Sequence, residues 1–88
     1  MKSIDYKVPN GKLLRIDFKL DDNIIKYIKI HGDFFIHPEV GIEVIEKTLL
    51  GANLSDEKLL ELLKMKTKKI EMIGVSVEDI IQVLKNNC

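Results

Sequence analysis

The sequence predicts an α+β fold: a three-stranded antiparallel meander packed against about three helices in a two-layer sandwich. Three observations carry this. Up to residue 31 apolar and polar residues alternate with period two, broken by two clusters of turn formers. From residue 38 onward the apolar spacing changes to three and four. The two patterns occupy separate halves of the chain, which suits helices segregated to one face of an antiparallel sheet. With 88 residues the chain makes one domain, spanning 1–88.

The elements follow in order. Ile4, Tyr6 and Val8 alternate with Ser3, Asp5 and Lys7, giving a strand over 3–8. Pro9-Asn10-Gly11 is a turn, because Asn and Gly accept positive φ cheaply. Leu14, Ile16, Phe18 and Leu20 alternate with Arg15, Asp17 and Lys19, giving a strand over 12–20. After Asp21-Asp22-Asn23 comes a third strand, 24–31, in which Ile24, Ile28 and Ile30 keep the period and Lys26 breaks it. One buried face requires even residues to oppose even residues. Pairing Val8 with Leu14, and Leu20 with Ile24, satisfies this and leaves an odd number of loop residues at each turn. Gly11 and Asn23 then supply the left-handed residue of such a hairpin. The open face carries Leu13, Ile25 and Tyr27 among Arg15, Asp17 and Lys29. That is either a docking patch or the ordinary scatter of surface apolar groups.

Pro38 and Glu39 open the first helix, Ile42, Ile45 and Leu49 form its stripe, and Gly51 ends it. Ser55 is the expected N-cap of a second helix that runs to about Lys64, with Leu54 and Leu59 at staple spacing. A connector bearing Lys64, Lys66, Lys68 and Lys69 follows. Ser76, with Asp79 three residues on and Val75 and Ile80 at staple spacing, caps a last helix. Its stripe is Val77, Ile80, Ile81 and Leu84.

Charge and composition narrow the function. Fourteen basic and fourteen acidic residues cancel, which argues against a general nucleic-acid binder. No apolar run approaches the ~20 residues of a bilayer span. The N-terminus lacks the apolar core of a signal peptide. Cys88, the single cysteine, has no internal partner, so a reducing cytoplasm is the expected compartment. There is no P-loop or dinucleotide glycine pattern. Gly11-Lys12 places a glycine and a lysine in a tight hairpin, an arrangement able to meet a phosphate as well as simply to turn in solvent. His31 and His37 flank Asp33 across the strand-to-helix passage, but a metal site needs three or four converging ligands. In the plainer reading His31 ends a strand, Gly32-Asp33 turns, and Phe34 and Phe35 plug the core or a partner's pocket. Ser3, Ser55 and Ser76 fall at a strand start or at caps, which disfavours nucleophilic catalysis.

Three stretches together resemble a known family. VPNGKLLRIDFKLDDNIIKYIKIHGDFF, HPEVGIEVIEKTLLG and GVSVEDIIQVL are similar, in order and spacing, to the C-terminal accessory domain of lipoate–protein ligases, most of all to its separately encoded archaeal form. The matching motifs are Gly11, Lys12 and Leu13; Gly32, Asp33, Phe34 and Phe35; and Gly74, Val75, Ser76, Glu78 and Asp79. Asn10 stands where the family carries the first glycine of the hairpin. The resemblance implies a fold similar to iron–sulfur scaffold and sulfur-acceptor proteins, without their meander cysteine. It also implies an accessory subunit, inert alone, that assists a separate catalytic subunit in forming lipoyl-adenylate. The expected partners are that catalytic subunit, in a heterodimer, and indirectly a lipoyl carrier domain, with no nucleic acid and no membrane. The chain itself is expected to bind no cofactor; ATP, Mg and lipoate belong to the assembled ligase. Gly11 and Lys12 are the candidates for a phosphate or partner contact. Lys12, Asp33, Phe34, Phe35, His31 and Tyr27 are the candidates for the interface. Because meander strands alternate direction, Lys12 and Asp33 fall at the same sheet edge. The alternative is a stand-alone scaffold or interaction module of the same fold, binding RNA through the connector lysines or a metal through His31 and His37.

Overall fold

A computed structural model describes residues 1–9 and 11–87; the turn residue Asn10 and the terminal Cys88 lie outside the described residues. Strands β1 (Lys2–Lys7), β2 (Leu13–Asp21) and β3 (Ile24–Gly32) form an antiparallel sheet in the order β1-β2-β3. The expected meander is therefore present, with strand limits within a residue of those read from the sequence. Leu14, Ile16 and Phe18 are buried on one face, and helices α1 (Gly41–Leu49), α2 (Leu59–Lys66) and α3 (Val77–Asn86) complete the core.

The pairings differ in detail. Leu14 lies opposite Tyr6 rather than Val8. The hairpin instead closes on Val8, whose N–H donates to the Lys12 carbonyl at 3.1 Å. Even residues still oppose even ones, so the buried face is preserved. At the second turn Asp21 lies opposite Ile24, and Asp22 and Asn23 both take positive φ, 51° and 66°. This is a two-residue loop of the type whose twist suits a hairpin, not the odd-numbered loop expected. Parity is restored by a bulge: Lys19 faces Tyr27 while Leu20 faces Ile25, so Lys26 is the unpaired extra residue. Lys26 breaks the alternation for that reason. The bulge also turns Ile25 inward, where it is 1% exposed, so the expectation that Ile25 sits on the open face is corrected.

The free edge of β3 is covered. Gly51 N–H donates to Ile25 O (2.7 Å), Ala52 O accepts from Ile25 N–H (2.9 Å), and Glu46 Oε2 accepts from Ile30 N–H (2.7 Å). These contacts hide edge groups that would otherwise template a foreign strand.

A second sheet was not anticipated. Strands β4 (Phe35–His37) and β5 (Glu71–Ile73) pair antiparallel, Phe35 opposite Ile73. Three residues are too few to show a period. β4 delays α1, which starts at Gly41 after a Pro38–Gly41 turn closed by a 2.9 Å hydrogen bond; Pro38 therefore precedes the helix instead of lying in its first turn. Ser55 does not cap α2, which begins at Leu59. Its hydroxyl accepts from Asn23 Nδ2, and the intervening turn is held by Asp56, whose carboxylate accepts from Lys58 N–H. The Ser76–Asp79 capping box of α3 forms as expected, and Val77, Ile80, Ile81 and Leu84 are all buried.

Candidate functional site: the glycine-closed end

Three glycines converge where the first hairpin meets the exit of β3 and the entry to α3. Gly11 closes the hairpin, its N–H donating to Val8 O at 2.8 Å, and Lys12 N–H donates to Gly74 O at 3.1 Å. A glycine is required at position 11 by proximity: a Cβ there would stand 2.7 Å from the Gly74 carbonyl oxygen and 2.9 Å from Val8 Cγ1. Gly74 has φ +89°, and a Cβ on it would meet Lys12 Cγ at 2.6 Å. Gly32, at φ +155°, lies so close to the Leu13 carbonyl that no side chain fits, and Asp33 N–H donates to that same carbonyl at 3.1 Å. The segments carrying Gly11-Lys12, Gly32-Asp33 and Gly74-Val75 thus form one packed junction, though they are far apart in the chain.

The junction sorts the candidate residues. Lys12 and Asp33 are both exposed and lie on neighbouring backbone segments, as strand direction requires. Among the described residues they form no ion pair with each other or with any other side chain. The Gly11 and Lys12 amides are spent on internal hydrogen bonds, so the group left to meet an anion is the Lys12 ammonium. The two phenylalanines divide. Phe34 is half-buried over Gly32 and Gly74. Phe35 is 67% exposed and pairs across the ribbon with Ile73, itself 55% exposed. Ile73 was missed by sequence reasoning; its only signal is that it directly precedes Gly74. Beside the junction, Phe34, Ile36 and Ile42 line a shallow cleft of about 270 Å³ with His31 and Glu39 at its rim.

Two candidates sit elsewhere. Tyr27 is opposite Lys19, five residues up the strand from Gly32, about 17 Å at strand rise. His31 adjoins Gly32 but belongs to the open sheet face, its Nε2 3.1 Å from Asp17 Oδ2. Arg15 bridges Asp5 (3.6 Å) and Asp17 (3.7 Å) there. The Ser3 hydroxyl, above all, then His31 and Arg15, hold the Asp17 carboxyl below its usual range, against the opposing effect of desolvation. No group of three or more His, Cys, Asp or Glu side chains able to hold a metal occurs among the described residues. Among the described residues no helix is long and apolar enough to cross a membrane.

The family described as "Bacterial lipoate protein ligase C-terminus" matches residues 3–84. Lipoate-protein ligase A subunit 2 of Thermoplasma acidophilum is 37% identical over 86 residues, covering 97% of this chain and 88% of that protein. The fold superposes with a TM-score of 0.75 and 33% identity, over 94% of this chain and 97% of the other, on a chain from the structural analysis of an archaeal lipoylation system of Thermoplasma acidophilum, a bi-partite lipoate protein ligase and its E2 lipoyl domain. The motif segments that build the glycine junction all lie within the matched residues, and on that match the chain belongs to the lipoate protein ligase C-terminal family.

Proposed function

We propose that this chain is the accessory subunit of a bipartite lipoate–protein ligase, and that the glycine-closed end is the surface it presents to the catalytic subunit. The observation that carries this is the convergence of Gly11, Gly32 and Gly74. Close approaches of backbone to backbone at Gly11 and Gly32, and of Gly74 to the Lys12 side chain, hold Lys12 and Asp33 side by side, and among the described residues neither charge is spent on an internal ion pair. The Phe35–Ile73 pair adds an exposed apolar anchor of the kind that fills a partner's pocket.

The depressions among the described residues are shallow and bring no set of reactive groups together, so the chain's contribution in this reading is to complete a site formed elsewhere. Closing over bound ATP and lipoate excludes water and orders the loops around them, which favours lipoyl-adenylate formation. Mg and both substrates are held by the catalytic subunit in this reading. Lys12 meets a phosphate or a partner carboxylate, and Asp33 meets a partner arginine or lysine.

The test is lipoyl-adenylate formation by the catalytic subunit with Lys12→Ala or Asp33→Ala in place of the wild-type chain. Lys12→Ala is expected to lower the activated rate about tenfold or more, the size of a lost charge-assisted contact. If both variants bind the catalytic subunit and activate it as wild type does, this end is not the working surface.

A further inference from the structure

We propose that the groove between α1 and α2 is a second docking site, which receives an acidic, aliphatic patch on the carrier domain that accepts the acyl group. This rests on the accessory-subunit reading but uses different residues. The groove, about 440 Å³, is lined by Val44, Lys47 and Thr48 of α1 and Leu62 and Lys66 of α2. Its floor is apolar: Val44 is half-buried and Leu62 is 37% exposed. The Thr48 hydroxyl donates to Val44 O of its own helix at 2.7 Å, so it offers the groove no free donor. That leaves Lys47 and Lys66 as the functional walls. Neither has an ion-pair partner among the described residues, whereas Lys64, on the same helix, is paired with Glu78 at 3.3 Å. No acidic side chain lines the groove; Asp56 and Glu61 lie beyond Leu62, in the adjoining depression with Lys58 and Met65.

Two uncompensated cations over an aliphatic floor select an occupant that brings carboxylates and an aliphatic side chain. The size of the surface selects among partners. A permanent subunit contact is large and apolar, whereas a partner that must arrive, react and leave in each turnover uses a small, charged, wet surface. The groove is of the second kind. It is also separate from the junction: α1 begins beside Ile36 at the glycine-closed end, and the loop after it bonds to Ile25 near the opposite end. A catalytic subunit on the first surface leaves the second open.

Two measurements test this. In the first, the unmodified carrier domain is titrated into ¹⁵N-labelled chain at low and at high salt. Amide shifts centred on Val44, Lys47, Leu62 and Lys66 that collapse at high salt are expected; shifts centred on another face, or none, overturn the proposal. In the second, acyl transfer to the carrier domain is followed in the assembled ligase carrying Lys47→Glu with Lys66→Glu. The KM for the carrier domain is expected to rise about fivefold or more, as for two rim charges reversed. Adenylate formation without the carrier should be unchanged. Lys68→Glu with Lys69→Glu, equal in charge but outside the groove, should leave that KM near wild type. An unchanged KM in the groove variant, or an equal rise in the control, overturns the proposal. Failure of the wild-type chain to stimulate adenylate formation would instead overturn the accessory-subunit reading, and the titration separates the two.

Discussion

At one end of the sheet the β1–β2 turn is shaped by what lies against it; at the other end the β2–β3 turn is shaped by its own dihedral angles. Gly11 is excluded from bearing a side chain by the Gly74 carbonyl. Asp22 and Asn23 have positive φ, and both are exposed. The first turn is therefore set by tertiary crowding, whereas the second is set mainly by its own positive φ values, with Asn23 O accepting from Leu54 N–H at 2.9 Å and Asn23 Nδ2 donating to Ser55 Oγ at 3.2 Å as supports. Local devices stabilise a hairpin and tolerate change. Tertiary ones fix the position of the side chains beside them, here Lys12 and Asp33, and that makes the crowded end the better place for recognition.

The largest effect expected from this contrast is at Gly32, where left-handed backbone and backbone crowding coincide. Gly32→Ala should cost about 3 kcal/mol or more in urea unfolding. Gly11→Ala should cost less, about 1–2 kcal/mol, since only the overlap with Gly74 must be relieved. In folded protein that variant should still lose most of its activation of the catalytic subunit, because the relief moves Lys12. Equal losses of stability and activation at Gly11 and Asn23 would erase the distinction between the two ends.

A smaller effect concerns the open sheet face between the ends. The folded-state pKa of Asp17 is lowered, chiefly by the neighbouring Ser3 hydroxyl. Its stabilising contribution is therefore fully present above the unfolded-state value, about 3.9, and fades as pH falls below it. Acid titration of unfolding should show a limb in that range that Asp17→Asn flattens; an unchanged limb would remove Asp17 as its source. The smallest effect is expected from Asn23→Gly, within about 0.5 kcal/mol in either direction, because glycine suits the second turn position while the Asn23–Ser55 hydrogen bond is lost. Activation should be unaffected.

The same division between local and tertiary explains what could be read beforehand. The alternation of β1 and β2, the Ser76–Asp79 box and the stripe of α3 are periodic or short-range, and they stand as expected. The bulge was visible only as an anomaly at Lys26, and its consequence, an inward Ile25, followed from hairpin geometry that alternation does not encode. Ser55 has the chemistry of a cap, yet the chain satisfies it through Asn23, a contact made across the fold. The ribbon of Phe35–His37 with Glu71–Ile73 exists because two short segments meet, and neither announces a strand alone. For the site, strand direction brought Lys12 toward Asp33. That Gly74 closes the same junction depends on how α3 returns to the sheet, which no local pattern states.

The most direct test of the account compares lipoyl-adenylate formation from ATP and lipoate in three mixtures: this chain alone, the catalytic subunit alone, and both together. The account predicts turnover by the pair, little by the catalytic subunit alone and none by this chain alone. Turnover by this chain alone, or full turnover by the catalytic subunit without it, would contradict the claim that it acts by completing another protein's site.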